Sequence, residues 1–143
     1  MIHPKHILWP TDFSTLSLKG AEYAEAFQRA FCAQLYVLHV CPPIVLTNGA
    51  GPLMSGWAIL ASQVDLVGPA KAKLSQLAAE QFGDARGETA KVVVGTPWYE
   101  ICRQAHVIGV DLIVIATHGS TGLRHLVMEV LPNEWCSMRR PRY

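Results

Sequence analysis

Three short runs of this chain are apolar almost from end to end, and they restrict its fold more than any other feature. They are Ile7-Leu8-Trp9 within Lys5–Pro10, Leu35-Tyr36-Val37-Leu38 within Gln34–Val40, and Leu112-Ile113-Val114-Ile115-Ala116 within Asp111–Ala116. A strand with one face in water alternates apolar and polar residues. Runs without that alternation are buried on both faces, as in a parallel sheet covered by helices. Between the first two runs, Leu16, Ala21, Ala24, Phe27 and Phe31 recur near helical spacing, with Ser14 placed as an N-cap. Glu88–Val94 reads as a third strand. Thr96-Pro97 then reads as a cap followed by a first-turn proline, Ile101, Cys102, Ala105 and Ile108 as a buried helix face, and Gly109 as its stop.

The segment from Cys41 to Gly68 is the least regular, with Pro42-Pro43, Asn48-Gly49 and Gly51-Pro52. It reads as a long, functional or mobile loop with a helical part over Trp57–Val67. Pro69 suits the first turn of a new helix, whose apolar face continues through Leu74, Leu77, Ala78 and Phe82 and which ends at Gly83–Gly87. After the fourth strand, Thr117-His118-Gly119-Ser120-Thr121-Gly122 leads into a helical stretch from Leu123. Strands alternating with helices predict βαβ units, right-handed crossovers and a parallel sheet.

At 143 residues, half of them hydrophobic, the chain is one domain with enough apolar material for a core. No apolar run reaches the ~18–20 residues a bilayer span needs. Met1–Lys5 is polar and lacks the features of a signal peptide, so a cytoplasmic location is expected. A formal net charge of +1, with clustered positive charge only at Arg139, Arg140 and Arg142, gives no nucleic-acid footprint. Cys32, Cys41, Cys102 and Cys136 show no CxxC spacing. Cys32 and Cys102, in apolar surroundings, read as small buried hydrophobes without a disulfide or metal role.

Two polar clusters directly follow strands: Pro10-Thr11-Asp12, and Thr117-His118-Gly119 with Ser120-Thr121-Gly122. In open α/β sheets ligands bind beyond the carboxyl ends of strands, where the strand order reverses. A glycine-rich turn entering a helix offers backbone N–H groups and a positive dipole end to an anion. A carboxylate after the first strand could hold a ribose, an adenine amino group or a metal. Together the clusters suggest a nucleotide site. They equally fit a plainer role, in which the glycines shape a turn and Asp12 caps a helix. GxxxxGK[ST] and, after the first strand, GxGxxG are both missing from the sequence. His118 and His125 lack a third ligand at usable spacing for a metal, and no nucleophile partners His118 in sequence. The tryptophans Trp9, Trp57 and Trp98 read as packing residues, with Trp57 lying nearest the expected nucleotide.

Ile7-Leu8-Trp9-Pro10-Thr11-Asp12-Phe13-Ser14, Leu35-Tyr36-Val37-Leu38-His39-Val40, Gly95-Thr96-Pro97, Asp111–Gly119 and Thr121-Gly122-Leu123 together resemble the universal stress protein family over residues 1–128. The resemblance implies a Rossmann-like open parallel sheet, of the adenine nucleotide alpha hydrolase-like type, in the order 3-2-1-4-5. It also implies a stress-response regulatory domain that binds ATP, with Mg2+, and that forms a homodimer through the last strand. At most it implies slow ATP hydrolysis, with no residue marked as a strong catalyst. By the same resemblance Asp12 and the backbone of Val40 face the adenine, Ala116, Thr117, His118 and Gly119 flank ribose and phosphates, and Pro10, Thr11, Gly122, Glu129 and Val130 belong to the same nucleotide-binding set. A relative that binds no nucleotide and serves as a dimerising interaction module is the alternative.

The ATP-binding branch carries Gly-x-x-Gly, nine residues, then Gly-Ser or Gly-Thr. Here Ala116 stands at the first glycine, Ser120–Met128 fit the spacing, and Glu129-Val130 stand where Gly-Ser is expected. Glutamate there would repel a triphosphate by ~1 kcal/mol or more in a partly exposed site, so ATP binding is expected to be weakened. Residues 129–143 do not read as the rest of this fold: Pro132 would break the last helix, and no β-branched run follows to make a fifth parallel strand. The fifth strand is therefore expected to be missing or altered, leaving the edge of the fourth uncovered. Codons exist for Met128–Tyr143 that, with one G inserted after Met128, encode Gly-Ser-Val-Ala-Glu-Arg-Val-Val-Gln-His-Ala-Pro-Ala-Pro-Val. That is the missing Gly-Ser, the rest of the helix and the start of a strand, as a lost base in a run of G would explain.

Overall fold

The computed structural model describes residues 3–43, 56–83, 89–118 and 124–130. Its elements alternate as expected: β1 (His6–Pro10), α1 (Thr15–Phe31), β2 (Gln34–Cys41), α2 (Gly56–Phe82), β3 (Ala90–Val94), α3 (Pro97–Ile108), β4 (Leu112–His118) and β5 (Arg124–Val130). The sheet order is β3-β2-β1-β4-β5. β1 pairs in parallel with β2 and with β4, and β2 in parallel with β3. The chain thus builds outward from β1 in one direction, then returns to lay β4 on its other side, so the strand order reverses between β1 and β4.

The apolar runs are buried on both sheet faces, as their lack of alternation requires. Ile7, Trp9, Leu35, Val37 and Val114 pack on one side with Ala21 and Ala24 of α1 and Leu74 and Ala78 of α2. Leu8, Leu38, Val40 and Ile113 pack on the other with Ile101 and Ala105 of α3. Trp9 is fully buried, its ring 5.6 Å edge-on from that of Phe82. The Ser14 hydroxyl accepts the Ser17 amide at the start of α1, and Gly109, at φ 74°, closes α3. At the amino ends of β1 and β4, the Asp111 carboxylate accepts the amides of Lys5 and His6 at 2.8 and 2.9 Å.

Four expectations are corrected. Pro69 does not begin a helix but sits inside the continuous α2, exposed, where its missing N–H costs one bond to the preceding turn. Cys32 is exposed, and at φ 51° it ends α1 in the left-handed conformation. Cys102 is half-buried and disulfide-bonded, whereas Cys32 and Cys41 are free. Within the stretch expected to be helical from Leu123, the described residues Arg124–Val130 are a strand. They return as β5, antiparallel to β4 from His118↔Arg124 to Leu112↔Val130. The edge of β4 is therefore covered, and the fifth strand is altered in direction rather than missing. Gly119–Leu123 and residues 131–143 lie outside the described residues.

Candidate functional site

β1 ends at the point of strand-order reversal, and its continuation is fixed by a dense set of short bonds. The Thr11 amide donates to the Leu38 carbonyl at 2.8 Å, which extends the β1–β2 ladder by one residue. Thr11 is buried, and its hydroxyl lies 2.6 Å from that of Ser17 on α1 while also accepting the Phe13 amide at 3.1 Å. Ser17 in turn accepts Trp9 Nε1–H at its carbonyl, 3.2 Å away. The first turn of α1 is thereby tied to the floor of the sheet. His39 on β2 holds the Thr11 carbonyl through Nδ1 at 2.8 Å, and its ring lies 4.4 Å from that of Phe13. Phe13 takes φ 65°, a left-handed conformation costly for an aromatic residue, and Lys73 Nζ covers its ring at 4.5 Å from the centroid.

These bonds set the Asp12 carboxylate at the mouth of a cavity of about 180 Å³. Pro10, Thr11, Asp12 and Ser17 form one wall and Val40, at the end of β2, another. Ile115 and Ala116 of β4 with Pro97 and Ile101 of α3 complete it. Burial pushes the Asp12 carboxyl up, but bonds from the Ser14 hydroxyl and amide and from the Ser17 hydroxyl more than offset this and hold it below the usual carboxylate value. Asp12 is thus an anion at neutral pH, with Oδ1 accepting the Ser14 amide at 2.9 Å and acceptor capacity left for a ligand. The rest of the cavity is mostly apolar. It can take a flat, weakly polar group against Val40, Ile101 and Ile115 and accept a hydrogen bond from it at Asp12.

The structure brings Pro10, Thr11, Asp12, Val40 and Ala116 together around this cavity. Thr117 and His118 end β4, so their backbone lies at the same end of the sheet. Gly119 and Gly122 lie outside the described residues. Glu129 and Val130 are not brought to the site. Their register partners are Ile113 and Leu112, at the opposite end of β4 and about 10 Å or more along the strand from Ala116. The reason is the reversal of the chain into β5. A helix leaving β4 would carry its first turns past the cavity, whereas an antiparallel strand carries residues 129 and 130 away from it. Sequence reading missed Ser17, Pro97, Ile101 and Ile115 as site residues. Ser17 had a local signal, since it lies three positions after the cap residue Ser14. The other three reach the cavity only through the packing of α3 and β4. Among the described residues no three His, Cys, Asp or Glu side chains gather as a metal site. Of the oxygen donors that Mg2+ prefers, the cavity offers one carboxylate, Asp12.

An open sheet flanked by helices, with a cavity where its strand order reverses, defines a doubly wound α/β domain. The model of the universal stress protein family matches residues 3–131, and the chain belongs to that family. It is 29% identical over 134 residues to universal stress protein MJ0577 of Methanocaldococcus jannaschii, covering 87% of this chain and 83% of that one. With universal stress protein MJ0531 of the same organism it shares 30% identity over 138 residues, 92% of this chain and 78% of the other. The solved structure of MJ0577 superposes with a TM-score of 0.65 at 24% identity, covering 99% of this chain and 93% of that one. UspA from Lactobacillus plantarum superposes with a TM-score of 0.58 at 21% identity, covering 99% and 95%. These likenesses establish the fold. Among the described residues no helix is long and apolar enough to cross a membrane.

Proposed function

We propose that this chain is a cytoplasmic, adenine-nucleotide-binding regulatory domain of the stress response, with its grip on the phosphates of ATP and their Mg2+ weakened. The observation that carries this reading is the cavity at the strand-order reversal, walled by Val40, Ile101 and Ile115 and bearing the Asp12 carboxylate at its mouth. The apolar walls suit a base, and the carboxylate suits an exocyclic amine or ribose hydroxyls. The backbone of Thr117 and His118, at the end of β4 and the same end of the sheet as the cavity, supports this reading. The weakening follows from β5: residues 129 and 130 are paired at the far end of β4, so they contribute nothing at the cavity. The domain is proposed to act as a homodimer through β5, which is the outermost strand among the described residues, because a strand edge invites a second strand.

That same displacement of residues 129 and 130 favours a second reading, a dimerising module that takes no nucleotide. The two are separated by heat-releasing any small molecule carried by the purified protein and identifying it chromatographically, then titrating ATP into the emptied protein. Adenine compounds released, or ATP bound in the micromolar to millimolar range, support the nucleotide reading. Neither release nor binding supports the interaction module.

A further inference from the structure

We propose that the cavity at the β1–β4 switch point is selective for the nucleoside: it binds adenosine at least as tightly as ATP, and discriminates by the base rather than by the phosphates. This rests on the reading of that cavity as an adenine-nucleotide site.

Three independent observations carry it. The first is size. The cavity measures about 180 Å³, below the ~300–1,000 Å³ usual for pockets that enclose larger ligands. It accommodates a base and part of a ribose, so a triphosphate chain lies outside it. The second is charge. Among the described residues lining it there is no lysine, arginine or histidine, and the one ionised group is the Asp12 carboxylate. Lys73, the cation covering Phe13, faces a separate hollow of about 200 Å³ between α1 and α2, with Leu18, Gln76, Leu77 and Glu80. An anion at the mouth repels phosphates and accepts hydrogen bonds from an amine or hydroxyl. The third is topology. Phosphates at sites of this architecture rest on a helix N-terminus following a strand. Here the next described element after β4 is not a helix but β5, whose first residue Arg124 pairs with His118.

The hydroxyls in the wall reinforce the assignment to Asp12. Thr11 and Ser17 face each other at 2.6 Å, and the Thr11 oxygen also takes the Phe13 amide, so both are committed within the protein. Asp12 therefore does the polar recognition. Its preferred partner is a neutral donor such as the adenine amine, which guanosine lacks at the corresponding position, where it has a carbonyl acceptor.

The test is titration calorimetry of the full chain with adenosine, guanosine, and ATP with Mg2+, repeated with Asp12→Asn. Asparagine retains the side-chain oxygen that accepts the Ser14 amide, so the start of α1 is preserved, while the negative charge is removed. The expected result is adenosine binding equal to or tighter than ATP, and guanosine weaker than adenosine by tenfold or more. Asp12→Asn should weaken adenosine several-fold while shifting the ATP-to-adenosine affinity ratio toward ATP by threefold or more. A purely structural role of Asp12 would lower both affinities together and leave that ratio unchanged, overturning the assignment to Asp12. ATP bound tenfold or more tightly than adenosine would overturn the nucleoside selectivity and leave the nucleotide reading standing, placing a phosphate contact on the segment near Arg124. Failure of all three ligands to bind would overturn the nucleotide reading itself, and the selectivity with it.

Discussion

The Nδ1 atom of His39 lies 2.8 Å from the carbonyl oxygen of Thr11, and the same imidazole is 4.4 Å from the ring of Phe13. One side chain on β2 thus holds both ends of the tripeptide that carries Asp12. It supplies a donor to a buried carbonyl and a flat face to a residue in a strained backbone conformation. His39→Phe keeps the ring contact and removes the donor, and should cost about 1–2 kcal/mol of stability. His39→Ala removes both and should cost more, with a further loss of ligand affinity as Asp12 loses its fixed position. Chemical denaturation of the two variants, with calorimetric titration beside it, measures this. Equal stability of wild type and His39→Ala would show that the β1–α1 turn is held from elsewhere.

Acid should loosen the amino-terminal ends of β1 and β4. Burial raises the Asp111 carboxyl, but the amides of His6 and Lys5 and the positive charges on those residues outweigh it, so the folded value lies below the ordinary one near 3.8. A carboxyl depressed in the folded state adds stability above its unfolded value, and that stability is lost as the pH falls from about 4 through the folded value. The group is half-exposed, so the effect is modest. Asp111→Asn should lower stability by about 1 kcal/mol at pH 7, and the gap to wild type should close as the pH falls through the folded value. Thermal melts across that range test it, and a gap that persists at pH 2 would contradict it.

Gly95 should not tolerate a methyl group. A Cβ there would lie 2.7 Å from Glu100 Cγ and 3.1 Å from its Oε1. Glu100 is buried and bonded to Arg103 at 3.0 Å, so it has little room to withdraw. Gly95→Ala should destabilise by about 1–3 kcal/mol, read as a lower melting temperature.

The double substitution Glu129→Gly with Val130→Ser restores the residues of the ATP-binding branch without changing the register. Because their partners are Ile113 and Leu112, it should leave adenosine and ATP affinities within twofold while lowering stability, since glycine weakens a strand interior. A tenfold gain in ATP affinity would mean that the segment after β4 reaches the cavity.

Restoring a single base after the codon for Met128 is a different experiment, because it replaces everything from residue 129 onward. If a base was lost there, the gene around Met128 spells Gly-Ser-Val-Ala-Glu in the shifted frame, and the repaired chain melts higher and binds ATP at least tenfold more tightly. A gene whose shifted frame spells another sequence shows that the present tail is the chain's own.

The interior of the fold was legible because each of its signals is local. Ser14, the Thr96-Pro97 pair and Gly109 mark helix ends through their own backbone and side-chain chemistry, and short unalternating runs such as Leu35–Leu38, bounded by polar residues, read as strands of a covered parallel sheet. The misreadings fall where distant parts of the chain decide. Pro69 is a helix starter by local rule, yet Leu74, Leu77 and Ala78 dock α2 on the core firmly enough for the helix to run through the proline. Arg124–Val130 carries no turn or cap that announces a strand, and only pairing with β4 makes it one. The site divides in the same way. Pro10, Thr11 and Asp12 follow a strand directly and could be found in sequence. Ile101, Ile115 and the bond from His39 to Thr11 depend on which strands and helices become neighbours.

The cavity assignment is tested most directly by an amide NMR titration of the isotope-labelled chain with adenosine. The account predicts shifts concentrated at Thr11, Asp12, Val40 and Ala116, with Glu129, Ile113 and the Lys73–Leu77 side of Phe13 little changed. Shifts concentrated between α1 and α2, or none at saturating adenosine, would contradict it.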